Sequence, residues 1–374
     1  MREIETLTVP RRGLFLSGKT TLYARPINMG FAARSRMGIG QSQAARLADS
    51  NATFQSIEVI LRDDKSIVAF NSTVDDAREW ALEDGCLDKL DKIVLGLTSR
   101  RKAINGIGFS SPLLMGVVNV TPDSFYDGGR HLDIDAAISH PHSLIAAGAD
   151  IIDVGGESSR PGSSSISDSE ELDRVLPVIE NVVGFGKPVS IDTKKSSVMM
   201  AAVAAGASII NDISSLSQDR KSLEVAVRLG VPIILMHMQG QPVDMQNKPY
   251  YDCAPLDVYD YLEERVQSCL KAGISSSNLL VDPGVGFGKS KHHNRFILNR
   301  LSLFHGLGVP IALGASRKSI IAELSSGEQA EDRLPGSLAI ALWALSQGVQ
   351  ILRVHDVTET RQAIKIYQAV VDEA

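Results

Sequence analysis

The sequence predicts an α/β protein: a (β/α)8 TIM barrel preceded by a small α/β N-terminal domain. Three observations carry that expectation. A short apolar run, a polar or glycine-rich loop and a longer segment of helical period recur eight times from Leu113 onward. The first and last runs start at Leu113 and Gln350, about 34 residues per step, the size of a βα unit. The runs are near-continuous in Ile, Val and Leu, as in parallel strands buried on both faces, and eight of them suit a closed barrel better than an open sheet.

The predicted strands are 113–118, 149–154, 188–191, 207–210, 232–236, 278–281, 310–313 and 350–354. Between them, Asp168 to Val183 opens with acids and places Leu172, Val175, Leu176 and Ile179 on one helical face. Segments 201–205 and 338–345 are rich in the strong helix formers Ala and Leu. Gly148, Gly206, Gly230, Gly273 and Gly308 each stand shortly before a strand, where a helix C-terminus needs a left-handed residue. Pro141 falls within the first barrel helix and predicts a kink or a late start. The chain divides into residues 1–110 and 111–374. In the first part 54–61, 67–70 and 93–97 read as strands and 73–82 as a helix.

With 374 residues, 44% hydrophobic and 22% charged, the chain is neither disordered, collagenous nor a disulfide-stapled miniprotein. Net charge is −6, and residues 1–110 hold 16 Lys+Arg against 13 Asp+Glu, leaving 22 against 31, so no basic stripe points to nucleic acid. Cys86, Cys253 and Cys269 lack metal or CxxC spacing and read as free thiols of a reducing compartment, hence a cytoplasmic protein. The longest uncharged stretch, Leu334 to Leu352, is broken by Pro335, Gly336 and Gly348; it reads as a buried helix and strand, and no membrane contact is expected.

In a parallel barrel the residues that follow each strand meet at one rim, where barrel enzymes place their chemistry. Here they are Asn119, the loop Glu157 to Gly162, Asp192, Asn211 with Asp212, His237, Asp282, Arg317 with Lys318, and Arg353 with His355. Arg317 or Lys318, Arg353 and His355 arrive late, where barrels often bind phosphate, and point to an anionic substrate. Asp192, Asn211 and Asp282 are acceptors suited to a planar heterocycle that presents amino and ring N–H donors. The amide oxygen of Asn119 suits a hard cation such as Mg2+.

Other groups have plainer readings. Asp212 and Asp356 read as helix caps, and His140, His142, His292 and His293 as surface or turn residues. Met199, Met200, Met236 and Met238 read as core filling. Gly13 to Thr20 satisfies G-x-x-x-x-G-K-[ST], but no buried strand precedes it, and a strand and turn is the better reading. Gly284 to Lys289 reads as a flexible, substrate-covering loop.

Nine strings in order, MGVVNVTPDSFYDGG (115–129), DVGGESSRPGS (153–163), SIDTKK (190–195), IINDI (209–213), LMHMQG (235–240), VDPGVGFGK (281–289), GASRKS (314–319), RLPGSLA (333–339) and RVHDV (353–357), resemble the dihydropteroate synthase family over about 112–374. The resemblance implies condensation of 6-hydroxymethyl-7,8-dihydropterin diphosphate with 4-aminobenzoate to 7,8-dihydropteroate and diphosphate in folate biosynthesis. It maps Asn119 as the Mg2+ ligand, with Asn119, Arg353 and His355 at the diphosphate and Asp192, Asn211, Asp282, Lys318 and Arg353 around the pterin. Asp192, Lys318, Arg353 and His355 would be catalytic. Ser159, Arg160, Pro161, Phe287, Lys318 and Ser319 would line the 4-aminobenzoate pocket, also the family's sulfonamide site, under mobile loops carrying Asp123 and Arg160. A homodimer through the last barrel helices is implied as well.

The sequence departs from the family in carrying Ser159 where Thr is usual and in adding its first 110 residues, whose role no motif reveals. Rival readings are a methyltetrahydrofolate-dependent methyltransferase, which has no diphosphate to hold, an aldolase using Lys318, and a catalytically silent pterin-binding paralogue.

Overall fold

A computed structural model describes residues 1–10, 12–15, 18–31, 44–48, 50–121, 126–127, 131–132 and 134–372. All eight predicted barrel strands form: β6 (Leu113–Asn119), β7 (Ile151–Gly155), β8 (Val189–Asp192), β9 (Ile209–Asp212), β10 (Ile233–Met236), β11 (Leu279–Asp282), β12 (Ala312–Gly314) and β13 (Ile351–Val354). They pair in parallel in the order β11-β10-β9-β8-β7-β6-β13-β12, and a parallel bridge between Val281 and Ile311 joins the two ends. The result is a (β/α)8 barrel.

Helices alternate with these strands. The one predicted at Asp168 to Val183 is found at those bounds, its end capped by Ser167, whose hydroxyl accepts from the Glu170 amide at 3.2 Å. The five glycines expected at helix ends all take positive φ, between 66° and 111°. The first barrel helix, Ile134–Ala146, runs through Pro141, so the late start is not adopted.

The barrel is filled in layers. Met115, Ile151, Ile209, Ile234, Leu280, Ala312 and Ile351 point inward and pack together, and Ile104, Ile107 and Phe109 close the cluster from below. The expected division at residue 110 falls directly after these three residues, which pack against the barrel's inner layer. Outward-facing residues such as Leu114, Ile152, Ile210, Leu235 and Val281 pack against the surrounding helices.

The N-terminal module is a sheet of order β1 (Glu5–Thr6), β5 (Ile67–Ser72), β4 (Ala52–Arg62), β2 (Thr21–Phe31), with β3 (Ala45–Arg46) beside β4. Helices α1 (Val74–Glu83) and α2 (Leu87–Thr98) complete it. The strand expected at 93–97 is instead the second half of α2: Leu90, Ile93, Val94 and Leu97 are buried at helical spacing. Gly13 and Gly18 stand in turns with positive φ, and Thr20 leads into β2, not a helix, which removes the P-loop reading. The module docks through apolar and charged contacts: Tyr23, Ile60, Ile67 and Ala69 join the core cluster of the barrel's helices. Arg62 pairs with Asp257 at 2.6 Å and with Asp260, and Arg2 with Asp252 at 2.6 Å. The Tyr23 hydroxyl donates to Asp260 at 2.9 Å. Asp257 and Asp260 lie on the barrel helix Ala254–Lys271.

Candidate active site

Side chains two positions apart on a strand share a face. Two residues beyond the apolar layer, the inward positions become Val117, Asp153, Asn211, Met236, Asp282, Gly314 and Arg353, so four of the seven are polar above an apolar layer. Asp192 stands level with Gly155 and Asn211 at the strand ends, and Asn119 is also level with Gly155.

One cation ties this layer together. Arg353 donates from Nε to Asp153 at 2.6 Å and from Nη2 to Asp192 at 2.7 Å, and Asn211 Nδ2 donates to Asp153 at 3.3 Å. Burial opposes the Arg353 charge, but Asp153 and Asp192 outweigh it and raise its pKa. Burial also pushes Asp192 up to about 7; Arg353 pulls it back, while Asp153, Glu171 and Asp212 push the same way as burial. Asp282 is raised by burial against the pull of Lys318. Lys318 is lowered to about 8, again by burial, which Asp282 partly offsets.

Lys318 sits at the top of the layer. Its Nζ donates to the Val285 carbonyl at 2.6 Å and lies 4.4 Å from the Phe287 ring centroid. The neighbouring Arg317 turns away to pair with Asp356, which is thus an ion-pair partner and not simply a cap. Asp212 caps a turn and not a helix, accepting from the Ser214 and Leu216 amides, while the next helix starts only at Ser222. His355 faces Ser316, with Nδ1 3.1 Å from its hydroxyl, and burial together with Arg353 and Arg317 lowers the imidazole to about 4. It is therefore a neutral ring at pH 7.

The loop carrying Val285 and Phe287 is pinned, contrary to the flexible cover expected. The buried Lys289 ammonium donates to the Gly284 carbonyl at 2.8 Å, to that of Phe287 at 3.0 Å and to His237 Nδ1 at 2.8 Å. Gly284 and Gly288 have positive φ and lie so close to the 237–239 backbone that a Cβ would come within 1.9 Å of the His237 oxygen and 2.2 Å of that of Gln239. Met236 and Met238 pack with Ile213, Met245 and Phe287, as core filling should. His293 is buried in a capping box with Ser290, not on the surface.

Ser159 and Asp192 line one small cleft with Glu157, Glu171 and Ile213. Arg160 and Pro161 are exposed on the same loop, and Ser319 is the exposed first residue of the helix Ser319–Leu324. Asp123 lies outside the described residues. Asn119 closes β6, and its side chain bonds no other described residue. Among the described residues no three His, Cys, Asp or Glu side chains cluster as a metal site, and no helix is long and apolar enough to cross a membrane.

Asp153 and Lys289 were not singled out from sequence, nor was the network in which Lys194 and Lys195 hold Glu157 at 2.8 and 2.9 Å and Lys195 also reaches Glu171. Alternation along β7 would have found Asp153, because it shares a face with Ile151.

The profile of a family described as pterin binding enzyme matches residues 115–355. A dihydropteroate synthase of Escherichia coli is 48% identical over 264 residues, 70% of this chain and 93% of that protein. Among solved structures, dihydropteroate synthase of Xanthomonas albilineans with 4-aminobenzoic acid superposes with a TM-score of 0.67 at 46% identity, covering 71% of this chain and 94% of that one. That of Yersinia pestis with a sulfonamide drug gives 0.68 at 45%, covering 72% and 98%.

Proposed function

The chain belongs to the pterin-binding enzyme family, among the dihydropteroate synthases, and we infer from its barrel mouth how it condenses 6-hydroxymethyl-7,8-dihydropterin diphosphate with 4-aminobenzoate. The observation that carries the reading is the meeting of Asp192, Asn211, Asp282, Lys318 and Arg353 at one barrel end, with His355 close by.

Asp192, Asn211 and Asp282 accept from the amino and ring N–H groups of the pterin, with Lys318 and Arg353 at its rim. The aryl amine is already a neutral nucleophile at pH 7. The leaving group is the difficulty. As the C–O bond to diphosphate breaks, its electron pair leaves with the diphosphate and positive charge grows on the pterin, where ionised Asp192 stabilises it. The amine nitrogen then bonds to the methylene carbon and gives up one proton to the medium. Two of Arg353's nitrogens are taken up by carboxylates, which leaves Nη1 for the anion. The Ser316 hydroxyl accepts the His355 amide and can donate to Nδ1, so the ring offers Nε2–H as a neutral donor to a phosphate oxygen.

Mg2+ belongs to the same reading. A single neutral amide oxygen at the rim, with no metal-holding carboxylate cluster among the described residues, fits an ion bound mainly through substrate phosphates, and Asn119 would hold it. The ion would supply positive charge beside the departing diphosphate. Ser159, Arg160, Pro161, Phe287, Lys318 and Ser319 form the 4-aminobenzoate side, with the loop of Arg160 at its edge.

A homodimer is part of the proposal. Trp343 on the helix Leu334–Ser346 and Ile366 and Val370 on the helix Val357–Asp372 expose apolar side chains that a partner would cover. The three free, buried cysteines support a cytoplasmic setting.

The test is product analysis of the full chain with the pterin diphosphate, Mg2+ and 4-aminobenzoate. Formation of 7,8-dihydropteroate supports the reading. Methyl transfer from methyltetrahydrofolate, or pterin binding without product, sinks it.

A further inference from the structure

Asp153 is completely buried within β7, and two groups of the mouth converge on it. Its Oδ2 accepts from Arg353 Nε at 2.6 Å and from Asn211 Nδ2 at 3.3 Å. A carboxylate only accepts, so the contact decides which end of the Asn211 amide points at it. The nitrogen is taken up below, and the carbonyl oxygen is the end left for a ligand. Arg353 is fixed through two of its nitrogens, by Asp153 at Nε and by Asp192 at Nη2 at 2.7 Å.

We propose that Asp153 is a positioning and specificity-determining residue, which makes Asn211 a hydrogen-bond acceptor toward the ligand and holds Arg353 alongside Asp192. The inference rests on the pterin reading and deepens it: the mouth selects a heterocycle whose edge offers amino or ring N–H donors. An isosteric ring with an acceptor at that edge would face the Asn211 oxygen with no proton between them, and a site built for hydrogen bonding rejects such analogues strongly.

The charged groups around the pair come from five elements: Arg353 on β13, Glu171 on the helix Asp168–Val183, Asp212 on β9, Asp282 on β11, and Lys318 after β12. Asp153 is one of the like charges that hold the Asp192 titration high. Neutralising Asp153 therefore moves that titration down. A merely structural role would leave it in place.

The experiment uses the full chain and its Asp153→Asn variant, which keeps the volume and loses the charge. The affinity for 6-hydroxymethylpterin, read by calorimetry, is expected to fall about ten- to a hundredfold. The KM for 4-aminobenzoate is expected to hold, and the acid limb of kcat/KM for the pterin diphosphate to move to lower pH. Equal losses for both substrates, or an unmoved acid limb, overturn the proposal.

Should that variant fail to fold, Asn211→Asp tests the same contact. Its carboxyl opposite Asp153 must hold a proton to donate, so pterin affinity rises as pH falls; a pH-independent affinity overturns the proposal. A wild-type chain that makes no dihydropteroate sinks the functional reading itself, whereas an active wild type with an indifferent Asp153→Asn variant overturns this inference alone.

Discussion

Arg353 donates through Nη2 to Asp192 at 2.7 Å although 161 positions separate them, and Nε of the same guanidinium holds Asp153. One cation is thus shared by two carboxylates in a place where burial disfavours every charge. Lys318 and Asp282 offset each other nearby. The remaining imbalance is negative, which suits a ring that turns positive as its leaving group departs.

Asp192→Asn tests that imbalance. The variant keeps a hydrogen-bonding side chain but removes the charge, so kcat is expected to fall about a hundredfold or more, while diphosphate affinity changes little. Single-turnover kinetics alongside diphosphate binding read the two effects, and equal losses in both contradict the role.

The pH dependence follows from the same residues. Asp192 acts as a carboxylate, populated above its pKa of about 7; Lys318 acts as a cation, populated below its pKa of about 8. A bell-shaped kcat/KM for the pterin diphosphate in the free enzyme is expected, with limbs near those values. Lys318→Arg should remove the alkaline limb and leave the acid one. Persistence of the alkaline limb in that variant would assign it elsewhere.

His305 carries a stability prediction away from the mouth. It is fully buried, donates from Nε2 to the Gln347 carbonyl at 2.9 Å, and burial with Arg101 lowers it to about 3. Below pH 6.5 the unfolded chain takes up a proton there that the folded chain refuses, so stability is lost as pH falls. Relative to wild type, His305→Gln should gain up to about 1.4 kcal/mol per pH unit below that point. Urea unfolding from pH 7 to pH 5 measures it, and a constant difference between the two proteins contradicts it.

The N-terminal module is clamped on the barrel's flank, at the start of the helix Ala254–Lys271 and the loop before it. Arg62→Met removes the cation shared by Asp257 and Asp260. These groups are partly exposed, so a loss of about 1 to 2 kcal/mol is expected in chemical unfolding, with kcat unchanged. A fall in kcat without a fall in stability would connect the module to the chemistry.

Much of this was legible in the sequence because burial writes itself into long Ile, Val and Leu runs and helix ends into glycines. All eight strands and the five left-handed stops follow from that alone. The run Ile93 to Leu97 misled because five apolar residues fit a strand or a buried helix face equally well. Asp153 escaped notice because the polar residues at strand ends and in loops drew the eye, whereas it sits inside β7 and owes its function to a partner two hundred positions away. The Lys289 staple depends on three backbone carbonyls and a histidine nitrogen, which no spacing in the chain announces.

The most direct test follows diphosphate release by the full-length chain from the pterin diphosphate, with Mg2+, in the presence and absence of 4-aminobenzoate. Release that requires the amine and matches dihydropteroate one for one is the predicted result. Release that proceeds equally without the amine, or none at all, would contradict a mouth built to hold both substrates for displacement.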